Sequence, residues 1–290
     1  MTPARAASWD ALRVFVAVHR AGSFSAAADE LQLAQSSVSE QIARLERQLG
    51  HALLIRSPAG VRATDRGLEL AARIAGPVDA LAAVTNAESA GPRTVFLGGP
   101  AEFLSEVILP AIATTVPDRV RVVARFALAE DLLDELRAGS IDVLVSTVPV
   151  RGTDLSSAPL VDEEFALVGH PHWRERSGGG LNQIPLLAYG PDLPIVRRYW
   201  QTVFGRRPDG LDVRMIAPDL RSLLRLICDG AGMTVLPDYL VDEHLGNNDL
   251  VLLHEPELPP LNTLHVATRR GGAPDPAISA VRTAVVEAAR

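Results

Sequence analysis

The sequence predicts an α/β protein that carries an all-α winged helix-turn-helix at its N-terminus, then a long helix, then a larger α/β region. Three observations predict this. Between Trp9 and Gly50 three short amphipathic helical patterns follow one another, and the third is polar on its outer face. A short hairpin pattern and a long helical pattern come next. From residue 91 onward, strand-like runs alternate with helical runs, which is the mark of parallel α/β layers.

The first helix is read from "WDALRVFVAVHRAG", with Leu12, Phe15, Val16 and Val18 facing inward and Gly22 ending it. Ser23 caps the second helix, "SFSAAADEL", and only "QLA" separates it from the third, with Leu33 as an apolar plug. In "AQSSVSEQIARLERQLG" the residues Val38, Ile42, Leu45 and Leu49 recur at steps of four, three and four and form one inward stripe. The other face carries Gln35, Ser36, Ser37, Ser39, Gln41, Arg44 and Gln48. Solvated helices favour Glu and Lys there, so clustered Ser is either capping or a surface that must approach something closely. Two short helices joined by a tight turn are the helix-turn-helix plan.

"HALLIRSPAGVRATDRG" is expected to form a β-hairpin, or wing, with its turn at Pro58 to Gly60. Thr64 then opens a helix to about Asn86, in which Leu70, Ile74, Leu81 and Val84 form a near-heptad seam that needs a partner helix. Pro77 should kink that helix or remove one backbone bond. After the linker "ESAGPR", strands are expected at 94–98, 119–126, 141–146, 164–169, 185–189, 213–217, 232–237, 249–253 and 263–269. Helices are expected at 102–115, 129–138, 194–204, 219–229 and 276–288.

A chain of 290 residues has room for two or three domains, and 47% hydrophobic with 22% charged residues is the balance of a soluble protein. No run of about 18 apolar residues occurs, so no membrane span is expected. "MTPARAASWDALRVF" has no apolar stretch followed by a small-residue cleavage site, and a cytoplasmic location is expected. The single Cys228 excludes an intrachain disulfide and a cysteine-cluster metal site, and its neighbours "LRLICDGAG" suit a buried, inert thiol. All 28 positive residues are Arg. Residues 1–66 hold 8 Arg against 6 Asp and Glu, a net +2, which leaves −9 for the remainder of a chain whose total is −7. That asymmetry is compatible with nucleic-acid binding at the N-terminal end.

Four segments, in order, resemble the LysR-type transcriptional regulators. They are "FVAVHRAGSFSAAADELQLAQSSVSEQIARLERQLGHALLIRS" with "ATDRG" behind it, "LRAGSIDVLVS", "DGAGMTVLP" and "LHVATR". The resemblance implies a winged helix-turn-helix over 1–63, a linker and dimerisation helix over 64–90, and an effector domain over 91–290 that resembles periplasmic binding proteins. Lobe I of that domain would take about 91–168 and 264–290, and lobe II about 169–263. The implied partners are double-stranded DNA with two half-sites, an unidentified small-molecule effector held between the lobes, a second copy of the chain in a homodimer or homotetramer, and RNA polymerase as a candidate contact. No cofactor, metal or membrane is implied.

Against that background the small polar residues of the third helix let it sit deep in the major groove. Gln35, Gln41 and Arg44 would bond base edges, and Ser36, Ser37 and Ser39 bases or phosphate at short range. Arg56 and Arg62 on the wing would meet phosphate or the minor groove. Two positions depart from the family pattern. Ala34 stands where a capping Ser is common, which weakens the cap by about 1 kcal/mol unless Ser36 takes over. Glu40 stands where Arg is common; it would be repelled by phosphate, so it either reads a cytosine amino group or points away.

No catalytic constellation is visible. The seven His make no HExxH pattern, "HPHW" reads as a strand-end loop, and "FLGGPAEF" lacks the Lys-Ser/Thr and glycine spacing of a phosphate loop. Ligands of open α/β sheets lie beyond strand C-termini, which selects Gly99, Pro100, Ala101 and Glu102, Ser146 and Thr147, Arg197 and Pro218. An unpaired Glu102 would favour an amine-bearing ligand and Arg197 the reverse. The competing readings are a DNA-binding protein that answers no effector, and a two-lobed substrate-binding protein or transferase.

Overall fold

The computed structural model describes residues 7–57, 60–85, 92–176, 180–271 and 275–290. Its contacts divide the chain into two units. The first holds residues 1–100, 114–158 and 265–287; the second holds 101–113, 159–264 and 288–290.

In the first unit, α1 (Trp9–Ala21) starts on Ser8, whose Oγ accepts from the Ala11 N–H, and ends on Gly22 at φ +61°, whose N–H reaches the Val18 carbonyl. Ser23 caps α2 (Phe24–Leu31) in the same way, accepting from the Ala26 N–H. Gln32 turns the chain at φ 55° into α3 (Gln35–Leu49), which begins on Ala34 with no side-chain cap. Val38, Ile42 and Leu45 pack with Phe15, Val18, Phe24 and Ala27 into one core. Two expectations are corrected. Leu33 is no plug: it is 40% exposed, because the left-handed Gln32 turns it outward from a core that α1, α2 and α3 already fill. Leu49, the last residue of α3, is 37% exposed.

The wing is β1 (Leu54–Ser57) against β2 (Gly60–Ala63); of the expected turn, residues 58–59 lie outside the described residues. Thr64 then starts α4 (Asp65–Thr85), its Oγ1 accepting from the Gly67 N–H and donating to the Ala52 carbonyl. A Cβ on Gly67 would stand 2.2 Å from the Leu53 carbonyl oxygen, so the glycine permits this approach. The helix runs through Pro77 without interruption. Its expected seam is only partly available: Leu70 and Ile74 pack against the N-terminal core beside the buried Ala71, Ala75 and Val78, whereas Leu81 is 49% exposed. Val84 is in the helix, with its side chain outside the described residues, as is the linker at 86–91.

The same unit contains β3 (Arg93–Gly99), β4 (Val120–Phe126) and β5 (Val143–Ser146). The strands β4 and β5 flank β3 in parallel, and β11 (Leu261–Arg269) runs antiparallel to β5. The helix α7 (Ala129–Ala138) covers this sheet with Leu132 and Leu136, and α12 (Pro276–Ala288) closes the chain. Within the first unit an ionic network joins residues of the expected segments 1–63, 64–90 and 91–290. Arg20 of α1 donates from Nη1 and Nη2 to Asp79 of α4 at 2.8 and 2.7 Å, and from Nε to the Gly139 carbonyl at 2.8 Å. Its Nη2 lies 3.5 Å from Asp142, which also accepts from Arg269 at 3.0 Å and from the Phe96 N–H at 3.0 Å. Burial lowers the Arg20 pKa, and the charges of Asp142 and Asp79 more than offset it, leaving the pKa raised.

The second unit begins with a helical run: α5 (Ala101–Phe103), a π-helical turn (Leu104–Ile108) and α6 (Leu109–Ile112). The long β6 (Leu155–Gly169) enters it and pairs antiparallel with β9 (Met233–Pro237) and β10 (Val251–Leu252); β7 (Leu186–Ala188) lies parallel between β9 and β8 (Val213–Ile216). The helices α8 (Pro171–Arg176), α9 (Pro194–Phe204), α10 (Leu220–Cys228) and α11 (Asp238–Gly246), with a 3-10 turn at Leu181–Gln183, surround this sheet. The passage into the unit falls at 158/159, ten residues before the expected lobe boundary, and 101–113 joins this unit instead of the first lobe. "HPHW" opens α8 where a loop was expected, and the two Nδ1 atoms of His170 and His172 stand 2.8 Å apart. Among the described residues no helix is long and apolar enough to cross a membrane.

Candidate nucleic-acid interface and effector-binding residues

At 100° per residue, the buried Val38, Ile42 and Leu45 fix which side of α3 faces the protein. The opposite side carries Ser36 and Arg44, Ser37 lies on its flank, and Gln35 and Gln41 border the buried stripe. Gln35, Ser36 and Arg44 are exposed, Ser37 and Gln41 half-buried, and none of the five has a side-chain hydrogen bond or ion pair to another described residue. Ser36 does not replace the missing cap, so its hydroxyl is unspent. Arg47, which sequence reading did not select, is exposed on the same outward side.

The wing is fixed against this helix from below. Glu46 Oε1 accepts from the N–H groups of Leu53 and Leu54 at 2.7 and 3.1 Å, and the Val61 N–H donates to the Gly22 carbonyl at 2.9 Å. Only the apolar spacing of α3 was legible, and a carboxylate that binds backbone across seven residues leaves no periodic signal. Arg56 lies over the Phe24 ring, 4.3 Å from its centroid, and its Nη2 is 3.5 Å from Ser39 Oγ. Ser39 and Arg56 are thus brought together. Arg62 is not: it pairs with Ile55 while Arg56 pairs with Val61, so the two arginines leave opposite faces of the ribbon.

The residues selected for an effector divide between the units. In the first, Gly99 and Ser146 end the neighbouring parallel strands β3 and β5, with Pro100 and Thr147 just beyond them. The Ser146 hydroxyl is already occupied: it donates to the Val148 carbonyl at 2.8 Å and accepts from the Val148 N–H at 3.2 Å. In the second unit Glu102 is buried, and its Oε1 accepts from the Leu220 N–H at 3.0 Å, at the start of α10. Glu102 is therefore not the unpaired carboxylate that an amine ligand would need. Pro218 is exposed two residues before Leu220, half-buried Ala101 precedes Glu102, and Arg197 is exposed with its Nη1 on the Asp192 carbonyl at 2.9 Å. Cys228 is half-buried, 3.8 Å from His244 Nδ1, and burial followed by the charges of Asp249 and Asp229 raises its pKa, which keeps it a thiol.

A helix-turn-helix with a free outer face, a wing and an α/β region of this topology define the class of one-chain DNA-binding regulators. Residues 9–68 match the model of the bacterial regulatory helix-turn-helix proteins of the lysR family, and residues 92–290 match that of the LysR substrate binding domain. The chain is 40% identical over 275 residues to the HTH-type transcriptional regulator AbaB of Streptomyces antibioticus, covering 90% of this chain and 91% of that one. Among solved structures it resembles ArgP from Mycobacterium tuberculosis with a TM-score of 0.74, at 22% identity and 96% of both chains. It also resembles the LysR-type regulator LysG from Corynebacterium glutamicum with bound effector Arg, with a TM-score of 0.67 at 20% identity, covering 97% of this chain and 98% of that one. The chain belongs to the LysR family: it is a DNA-binding transcriptional regulator with an effector-binding domain.

Proposed function

We propose that this regulator is a cytoplasmic homo-oligomer without enzymatic activity, which holds an operator of two half-sites through α3 and the wing. The observation that carries the proposal is the outer side of α3, where Ser36, Ser37 and Arg44, like Gln35 at the start of the helix, have no partner in the described protein. Such groups on a helix seated by three buried aliphatic residues suit the major groove, while Arg56 and Arg62 suit phosphate. In this reading 1–63 binds DNA, 64–90 pairs protomers, and 91–290 answers a small molecule through Gly99, Pro100, Ala101, Thr147, Arg197 and Pro218, with Glu102 and Ser146 shaping the backbone around them. The LysG precedent makes amino acids the first ligands to try. A footprint on the DNA upstream of the protein's own gene tests the reading. Protection of two half-sites a whole number of helical turns apart supports it, and no protection at micromolar protein in moderate salt refutes it.

A second reading, regulation without an effector, is favoured by Glu102, whose carboxylate already occupies the Leu220 N–H at the start of α10. A ligand-induced melting shift in an amino-acid screen supports the first reading, and a flat screen with intact DNA binding supports the second.

A further inference from the structure

We propose that Glu40 sets a base preference in each half-site by accepting a hydrogen bond from a cytosine amino group in the major groove. The inference rests on α3 being the DNA-reading helix. Glu40 lies about 170° around α3 from the mean direction of Val38, Ile42 and Leu45, closer to the middle of the outward side than Ser37, Gln41 or Arg44. It is exposed and borders an open groove of about 600 Å³ that also includes Asp10, Arg13 and Arg44, yet it forms no hydrogen bond or ion pair with any described residue. Among the described residues no arginine lies within ion-pairing distance of it.

A helix in the major groove meets phosphate along its flanks and base edges along its centre line. A carboxylate on the flank would be repelled by the backbone, whereas one on the centre line faces the bases. It can only accept, and the only base donors in that groove are the amino groups of cytosine and adenine. Adenine sets the acceptor N7 beside its amino group, which repels the second carboxylate oxygen, so cytosine is favoured. The adjacent Ser36 and the arginines 44 and 47 keep the rest of the outward side attractive to DNA.

The test is selection from a randomised duplex library with full-length wild-type protein, Glu40→Ala, Glu40→Gln and Arg44→Ala. Glu40 is exposed and unpartnered, so its variants should melt with the wild type. The wild type is expected to enrich cytosine at one position of each half-site. Glu40→Ala should lose roughly tenfold of that preference while the other positions keep theirs, and Glu40→Gln should move it toward adenine. If Glu40→Ala keeps every preference and merely binds all sequences more tightly, the carboxylate is a solvated charge and the proposal is overturned. If Arg44→Ala also leaves affinity and preference unchanged, the assignment of α3 as the reading helix falls with it.

Discussion

Arg20 and Asp79 face each other as a buried bidentate pair, with 2.8 and 2.7 Å between nitrogens and oxygens and side chains 6% and 10% exposed. The pair ties α1 to α4. Through the Gly139 carbonyl and Asp142, Arg20 also ties both helices to the sheet of the first unit. Replacing Arg20 with Met leaves Asp79 buried with only the longer contacts to Arg93 at 3.4 Å and Arg269 at 3.9 Å. The expected loss is about 3–5 kcal/mol, and Arg20→Met with Asp79→Leu should recover much of it, since apolar replacement of a whole buried pair is commonly tolerated. Urea denaturation of the three proteins checks this, and a single variant as stable as wild type would contradict it.

His19 adds a pH dependence. Burial first, and the Arg20 charge second, hold its pKa down to about 4, and its Nε2 lies 2.6 Å from Ser140 Oγ. The unfolded chain takes up the proton near 6.5 and the folded one near 4, so the unfolded state binds more protons between these values. The His19 contribution is complete above pH 6.5 and is lost as pH falls toward 4, by up to about 3 kcal/mol. Glu163, which burial pushes up to about 7, gives the opposite slope between its ordinary value and 7. Comparing wild type with His19→Gln isolates the histidine: the loss between pH 7 and pH 5 should be smaller in the variant, and equal losses would contradict the assignment.

The glycines of α4 should respond in opposite directions. Gly67→Ala places a Cβ 2.2 Å from the Leu53 carbonyl oxygen and should cost about 1–3 kcal/mol. Gly76, in the same helix, has nothing within 4 Å of its would-be Cβ, and Gly76→Ala should stabilise by up to about 1 kcal/mol. Thermal melting of both variants decides, and shifts of the same sign would show that the helix is seated differently.

Leu81 continues the stripe of Leu70 and Ile74 past the N-terminal core and is 49% exposed. Leu81→Glu should weaken protomer association and, through the lost second half-site, operator binding. Light scattering that still gives the wild-type mass, with unchanged operator affinity, would remove α4 from the association surface.

Much of this was legible in the chain because it is local. The stripe Val38, Ile42, Leu45, the caps Ser23 and Gly22 and the helices at 129–138, 194–204 and 276–288 are each written in a single stretch. Contacts between distant stretches were not. Arg20 finds Asp79 and Asp142 across 59 and 122 positions, and Glu102 finds Leu220 across 118, so one was overlooked and the other read as available to a ligand. The first nine residues of β6 were missed as well, since "LSSAPLVDE" has no clean alternation and its burial is mixed.

If α3 reads sequence while the wing holds phosphate, the two roles separate in one paired measurement. Affinity for the operator and for an unrelated duplex, taken over a series of salt concentrations, is compared among wild type, Gln35→Ala and Arg56→Ala. Arg56→Ala should weaken both duplexes alike and lower the slope of log affinity against log salt by about one, whereas Gln35→Ala should lose about 1–3 kcal/mol of discrimination with little change in slope. Unchanged discrimination in Gln35→Ala together with an unchanged slope in Arg56→Ala would contradict the account.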